Sequence, residues 1–341
     1  MAAAGAVRQG AGALTLDFLN PAFWTFVSVI AGIYTIMALG LYVQFSLAGL
    51  PNFGHVAFMA TAAYVMAILV VRYHVPLAVA SIGAIVAAVI VGLLLAGPAL
   101  RLRADYLAIA TIAGGEIVRY LAMNLPELTG GPIGSMGLAG PGNIAMYNQD
   151  WLALLNRLTA VLSEASGRAV SRDFTMALLV WTLAGLLMLV FRRMERSPWG
   201  RVMKAVREDE TAAAAAGKNV FSFKLQALIL GAIVGAISGL LLAWQIGIFS
   251  PEDFQPTLTF YAYLILILGG LNRLWAIPVG AVLFSVLFSG TRLLNFFPLS
   301  LIDSGNRAFL RLFLVGFLLV LFMALRPQGL LGNRKELLLE K

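Results

Sequence analysis

Apolar residues in this chain run in blocks about as long as a bilayer core is thick, and a helix of about 20 such residues is the simplest structure that crosses one. The runs cover residues 22–47, 56–71, 75–97, 105–123, 174–191, 225–248, 258–271, 276–290 and 309–325. They predict about nine crossings. Only 12% of the 341 residues are charged, against 60% hydrophobic, too few to clothe a water-soluble globule. The expected fold class is therefore all-α: one polytopic helical transmembrane domain over residues 1–341, with about 8–10 membrane helices. The runs 258–271 and 276–290 are short and share the junction Gly269-Gly270-Leu271-Asn272-Arg273. One of them is expected to be broken or re-entrant, because free backbone in hydrocarbon is costly unless protein covers it.

Residues 200–220, GRVMKAVREDETAAAAAGKNV, interrupt this pattern with water-loving chemistry. Arg201, Lys204 and Arg207 recur every third residue, the acids Glu208, Asp209 and Glu210 follow, and an alanine run ends at Gly217. Alanine favours helix, acids suit a helix N-terminus and glycine suits the position just past its end. Two short exposed helices are expected here. If residues 192–224 are cytoplasmic, counting crossings outward puts Arg101, Arg103, Arg273, Arg326, Arg334, Lys335 and Lys341 on the same side, as the positive-inside rule requires. The scheme places an N-terminal tail, 1–21, and a loop region, 125–173, outside, and a C-terminal tail, 326–341, inside. The polar stretch 151–172 is expected to form a surface helix.

The net charge of +8 reports this orientation, since no soluble basic face exists for nucleic acid. The chain has no cysteine and two histidines, His55 and His74, so no metal site is expected. There is no GxxxxGK[ST] phosphate loop: the one Gly-Lys pair, Gly217-Lys218, is followed by Asn219. GxSxG and HExxH are absent as well. No catalytic residue is assigned, and an enzyme is not expected.

Two features inside the runs resist a purely structural reading. Glu116 and Arg119 stand three apart in TIAGGEIVRYLAM, where a lone charge is disfavoured by a few kcal/mol, so they are expected to turn inward and pair. Gly114-Gly115 beside them allows close approach. The second feature is the break at residues 47–55, where glycine, proline, asparagine and histidine separate two runs; broken helices of this kind often surround transport sites. The candidate translocation path comprises Asn52, Gly54 and His55 in the break with Thr111, Gly114, Gly115 and Glu116 in the fourth run. A stand-alone secondary transporter or channel that titrates Glu116 or His55 is the alternative.

Several segments together carry a family resemblance: GHVAFMATAAY, LRLRADYLAIATIAGGEI, LTGGPIG, GRVMKAVREDETAAAAAGKNV, FSPEDF, LGGLNRLW and RPQGLLG. In order and spacing the chain resembles the LivM-type permease subunits of branched-chain amino-acid ABC transporters. The resemblance implies an ATP-driven importer of leucine, isoleucine, valine or related solutes in the bacterial inner membrane. It implies a second homologous permease, two cytoplasmic ATP-binding subunits and an external solute-binding protein as partners. It implies that no cofactor is bound by this chain and that ATP is used by the partner subunits. Such permeases dock a helix pair bearing an EAAxxxG-like pattern into the ATPase. That assigns the coupling segment here to Arg201, Lys204, Arg207, Glu208, Glu210, Thr211, Ala212, Ala213 and Gly217. Thr211 stands where the pattern has glutamate, leaving Glu210 as the nearby acid. Asn272-Arg273 is a second departure, since relatives have small residues there. The outer loops 130–142 and 249–254, with Gly130, Gly131, Pro251 and Glu252, are the expected docking surface for the binding protein.

Overall fold

A computed structural model of the chain describes residues 20–100, 102–139 and 147–290, and from the C-terminal part 309, 310, 313, 316, 317, 320, 321 and 329–331. The tail 1–19, residues 140–146 of the outer loop and most of the tail 326–341 lie outside the described residues. So does most of the run 309–325.

Among the described residues the chain is helical and has no strand. Helix α1 (Pro21–Tyr42) starts at Asn20, whose Oδ1 accepts from the Ala22 N–H at 3.0 Å, with Pro21 in the first turn. It runs into a π-helical turn, Val43–Leu47. Helices α2 (Val56–Tyr73), α3 (Leu77–Ala99) and α4 (Ala104–Asn124) follow. The short α5 (Pro126–Thr129) leads into a 3₁₀ segment, Gly131–Ala139. Next come α6 (Gln149–Ser166), α7 (Arg172–Glu195), α8 (Pro198–Glu208), α9 (Glu210–Ala215) and α10 (Val220–Ile246). A 3₁₀ turn, Pro251–Phe254, precedes α11 (Thr257–Gly269) and α12 (Ala276–Gly290).

Six of these segments are long and apolar enough to cross a membrane: Pro21–Leu47, Val56–Tyr73, Leu77–Gly97, Asp105–Asn124, Arg172–Glu195 and Val220–Ile246. The protein is a polytopic helical membrane protein. Helices α11 and α12, described over 13 and 15 residues, reach only about 20 Å at 1.5 Å per residue, short of a core of about 30 Å. They pack against each other across Gly269-Gly270. The break foreseen in this region thus lies between two short helices. The carbonyls of Leu268 and Gly269, left over at the end of α11, accept from the N–H groups of Leu330 and Leu331 at 2.8 and 3.0 Å.

Burial ranks the helices. The apolar window of α1 is 83% buried and that of α10 72%, against 28% for α3 and 33% for α4; α1 and α10 form the centre and α3 and α4 the periphery. α1 packs on α7, α10 and α12. Gly231, Gly235 and Gly239 of α10, four residues apart, face Gln44, His55 and the Met59 backbone. Such a stripe of small residues lets helix backbones approach without a hydrophobic drive between them. One end of the bundle gathers the C-terminal ends of α1 and α7, the helices α8 and α9 and the loop 270–275. Residues 125–139, 147–151 and 249–254 lie at the other.

Candidate functional site

The exposed helix pair expected from residues 200–220 is present. Ser197 opens α8, its Oγ accepting from the Gly200 N–H, with Pro198 in the first turn. Met203 and Val206 form the buried face of α8, while Arg201 and Glu208 point to solvent. Asp209, in extended backbone with φ −153°, separates the helices and caps α9. Its Oδ1 accepts from the Thr211 N–H at 2.8 Å, the Thr211 hydroxyl at 2.7 Å and the Ala212 N–H at 3.0 Å. The α9 helix stops on a Schellman arrangement: Gly217, at φ +74°, donates to Ala214 and Lys218 donates to Ala213. Ala213 alone of this helix is buried, so Thr211, Ala212 and Ala214 present a small-residue surface.

The Thr211 hydroxyl, then the Ala212 and Thr211 N–H groups, hold the Asp209 carboxyl below its ordinary value. A depressed folded-state value stabilises above the unfolded one, near 3.9, and the contribution disappears as pH falls through the folded value. The cap is therefore expected to be insensitive to pH between about 5 and 8. Asp209→Ala should speed hydrogen exchange of the Thr211 and Ala212 amides severalfold, while Asp209→Asn, which can still cap, should not.

Three contacts tie this pair to the bundle. Glu210 pairs with Lys224 at the start of α10, whose side chain is 9% exposed, so the acid beside Thr211 is engaged within the chain. Lys204 Nζ reaches Glu195 Oε1 at 2.8 Å, and the Tyr42 hydroxyl donates to Glu195 Oε2 at 3.3 Å. Arg207 Nη1 donates to the Ser46 carbonyl of the π turn at 2.6 Å and to Asn272 Oδ1 at 3.2 Å. One residue of the Asn272-Arg273 departure thus meets the helix pair directly.

The π turn leads into the break at residues 47–55, and there the structure brings most of the candidate path together. Gln44 Nε2 donates to the Leu228 carbonyl of α10 at 3.2 Å. Its Oε1 accepts from Asn52 Nδ2 at 3.0 Å and lies 3.2 Å from His55 Nδ1. Asn52 Oδ1 accepts from the Gly54 N–H at 2.9 Å, and Thr111 Oγ1 from the Phe53 N–H at 3.1 Å. Thr259 Oγ1 accepts from the Val56 N–H at 3.0 Å. Side chains thereby satisfy the first N–H group of α2 and those of the break just before it, and the helix begins inside the bundle with the His55 ring against Gly40 and Gly235. Gln44, Asn52, His55, Thr111 and Thr259 are all buried. Gly54 sits so close to the Thr111 carbonyl that an added Cβ would overlap it, while a Cβ on Gly115 would only touch Gly54. Gly114 faces Leu95 of α3 instead.

Glu116 does not join this network. Arg119 grips it, Nε and Nη2 donating at 3.0 and 2.7 Å, and extends Nη1 to Glu252 Oε1 at 2.9 Å. The expected helix-face pair is there, and it reaches across to the 3₁₀ turn Pro251–Phe254. That turn also meets the other proposed docking loop: the Ser135 N–H donates to the Phe249 carbonyl at 2.8 Å, and the Phe249 N–H to Ser135 Oγ at 3.0 Å. Gly130, Gly131 and Pro251 are buried in this junction, whereas Glu252 is exposed, as is Ile133. The surface helix expected over 151–172 is α6, seated by Trp151 stacked on Trp244 at 4.2 Å.

Sequence reasoning missed Gln44 and Thr259. A lone amide in a long apolar run was the available signal for Gln44; nothing marks Thr259 apart from other hydroxyls in helices.

A multi-pass helical bundle, with a hydrogen-bonded polar break inside it and an exposed helix pair tied to that break, is the architecture of a membrane permease. Residues 24–323 match the family model described as branched-chain amino acid transport system / permease component, and the chain belongs to that family. It is 34% identical over 317 residues to the high-affinity branched-chain amino acid transport system permease protein LivM of Salmonella typhimurium, covering 89% of this chain and 69% of that one. The protein of the same description from Escherichia coli K12 is 33% identical over 311 residues, with the same coverage. A probable branched-chain amino acid transport permease protein LivM of Methanocaldococcus jannaschii is 23% identical over 341 residues, 89% of this chain and 91% of that one. No solved structure matches.

Proposed function

We propose that this chain is the non-catalytic membrane subunit of an ATP-driven importer of branched-chain or related amino acids. It works with a second homologous permease, two cytoplasmic ATP-binding subunits that use the ATP, and an external solute-binding protein, in the bacterial inner membrane. The helix pair α8–α9 is the ATPase-docking element, and its face of the bundle is cytoplasmic. The polar break around Gln44, Asn52, His55 and Thr111 is the part of the path that alternates in access. Loops 130–139 and 249–254 meet the binding protein through exposed groups such as Glu252.

The observation that carries this reading is the Arg207 contact to Ser46. It joins an exposed, alanine-surfaced helix pair to the π turn whose Gln44 organises the break. Movement imposed on α8 is thereby delivered to the polar centre through one charge-assisted hydrogen bond.

Reconstitution in proteoliposomes tests it. Uptake of radiolabelled leucine is expected only when the second permease, the ATPase subunits, ATP and the binding protein are all supplied. Uptake by the purified chain alone under an imposed proton gradient would overturn the assignment.

A further inference from the structure

The three arginines at the end of α7 enter none of the contacts above. Arg192, Arg193 and Arg196 line a cleft of about 670 Å³ with Leu189, Val190 and Ser197, and among the described residues no carboxylate is in its walls. Among the described residues, none of the three forms an ion pair. A second cleft of about 320 Å³ shares Arg192 and Arg196 and adds Lys204, Arg273 and Trp275. The one acid among its described lining residues, Glu195, is held by Lys204 and the Tyr42 hydroxyl.

A helix C-terminus favours cations, which accounts for arginine in this turn. It does not account for like charges at 192 and 196, one turn apart on the same face, where repulsion is unfavourable without an anion between them. What lies on either side points to the anion's nature. Toward the middle of the membrane-crossing span the outer face of α7 presents Leu186, Leu189 and Val190, all exposed, as an apolar strip. Beyond the arginines stand exposed Trp275 and partly exposed Trp199, aromatic residues of the kind that sit at headgroup level. Arg192 lies over the Trp275 ring at 5.5 Å. A guanidinium held over an aromatic ring still carries N–H donors, the groups that match a phosphate.

Apolar strip, cationic cleft and interfacial tryptophan follow one another in the order of acyl chain, phosphate and headgroup. We propose that the cleft at the C-terminal end of α7 binds the phosphate of an anionic phospholipid, held by Arg192, Arg193 and Arg196, with an acyl chain along Leu186, Leu189 and Val190. The site abuts α8, the first helix of the pair assigned to ATPase docking, and Lys204 of α8 lines its second lobe. The bound lipid thus forms part of the wall against which α8 rests.

Native mass spectrometry of the full chain, released from micelles containing equal phosphatidylglycerol and phosphatidylcholine, tests the proposal. Phosphatidylglycerol should be retained about a hundredfold over phosphatidylcholine, given three arginines at roughly 1 kcal/mol per interfacial cation. Arg192→Gln/Arg196→Gln should cut the preference to about fivefold, the share of the remaining Arg193, and Arg201→Gln, which lines neither cleft, should keep it whole. Equal retention of the two lipids by the unaltered chain overturns the proposal, whether or not the double variant folds. Displacement of phosphatidylglycerol by millimolar inorganic phosphate would identify a free anion as the ligand and also overturn it. So would a double variant that keeps its full lipid preference and loses capture of the ATPase subunits, because the arginines would then serve a protein partner.

Discussion

Gly54→Ala is expected to reduce uptake more than tenfold while leaving the chain inserted in the membrane. The start of α2 lies against α4 so tightly that a methyl at this position occupies the space of the Thr111 carbonyl oxygen. A carbonyl in a helix cannot swing aside as a side chain can, so α2 and α4 must separate, at a cost of about 1–3 kcal/mol for overpacking. Separation lengthens the Phe53–Thr111 hydrogen bond, now 3.1 Å, and disturbs the Asn52–Gly54 turn with it. Gly115→Ala is the matched control. Its Cβ would stand 3.4 Å from the Gly54 Cα, an ordinary contact, so uptake should fall by less than about threefold. Transport and thermal unfolding of both variants check this; equal losses would show that close packing at Gly54 is not what matters.

Arg207→Gln should separate ATP hydrolysis from transport. The assembled complex is expected to hydrolyse ATP at its basal rate, to lose stimulation by the loaded binding protein, and to take up solute at least tenfold more slowly. The guanidinium is the link between α8 and the π turn, and a hydrogen bond to a charged group contributes about 1.5–3 kcal/mol. Its aliphatic stem also lies on Gly49, where an added Cβ would come within 2.9 Å of Arg207 Cγ, so the contact holds the π turn and the start of the break together. Lys204→Gln gives the contrast. That lysine's ion pair with Glu195 leaves the ammonium side chain 43% exposed, and such pairs are worth at most about 1 kcal/mol. Pull-down of the ATPase subunits with each variant distinguishes lost coupling from lost assembly.

The sequence made the local features legible and hid the distant ones. Apolar blocks located α2 to within two residues at its end, 56–71 against Val56–Tyr73. The alanine run and Gly217 located α9 with its stop, because propensity and capping act within a few residues. Asn52, Gly54 and His55 were visible as interruptions of an apolar pattern. Gln44 was not, since one amide leaves the pattern intact, and its acceptor, the Leu228 carbonyl, is a backbone group that no residue type advertises. Glu116 was visible as an acid in a membrane run, but its separation from the polar centre was not. That depends on Arg119 reaching Glu252, 133 positions away. The substitution at Thr211 becomes intelligible only with Lys224 in view, because Glu210 is committed to that lysine rather than offered to solvent.

The central position of α1 has a consequence for how the molecule is made. The amide of Gln44 finds its α10 acceptor 184 residues further along the chain, which ribosomes translating roughly 5–20 residues per second take about 10–40 s to reach. Throughout that interval the segment destined to be the most enclosed in the bundle stands among lipids or insertion machinery with a polar group unmatched. The centre of the bundle is therefore completed late, and a nascent chain interrupted before α10 lacks the acceptor of the Gln44 amide in its membrane region.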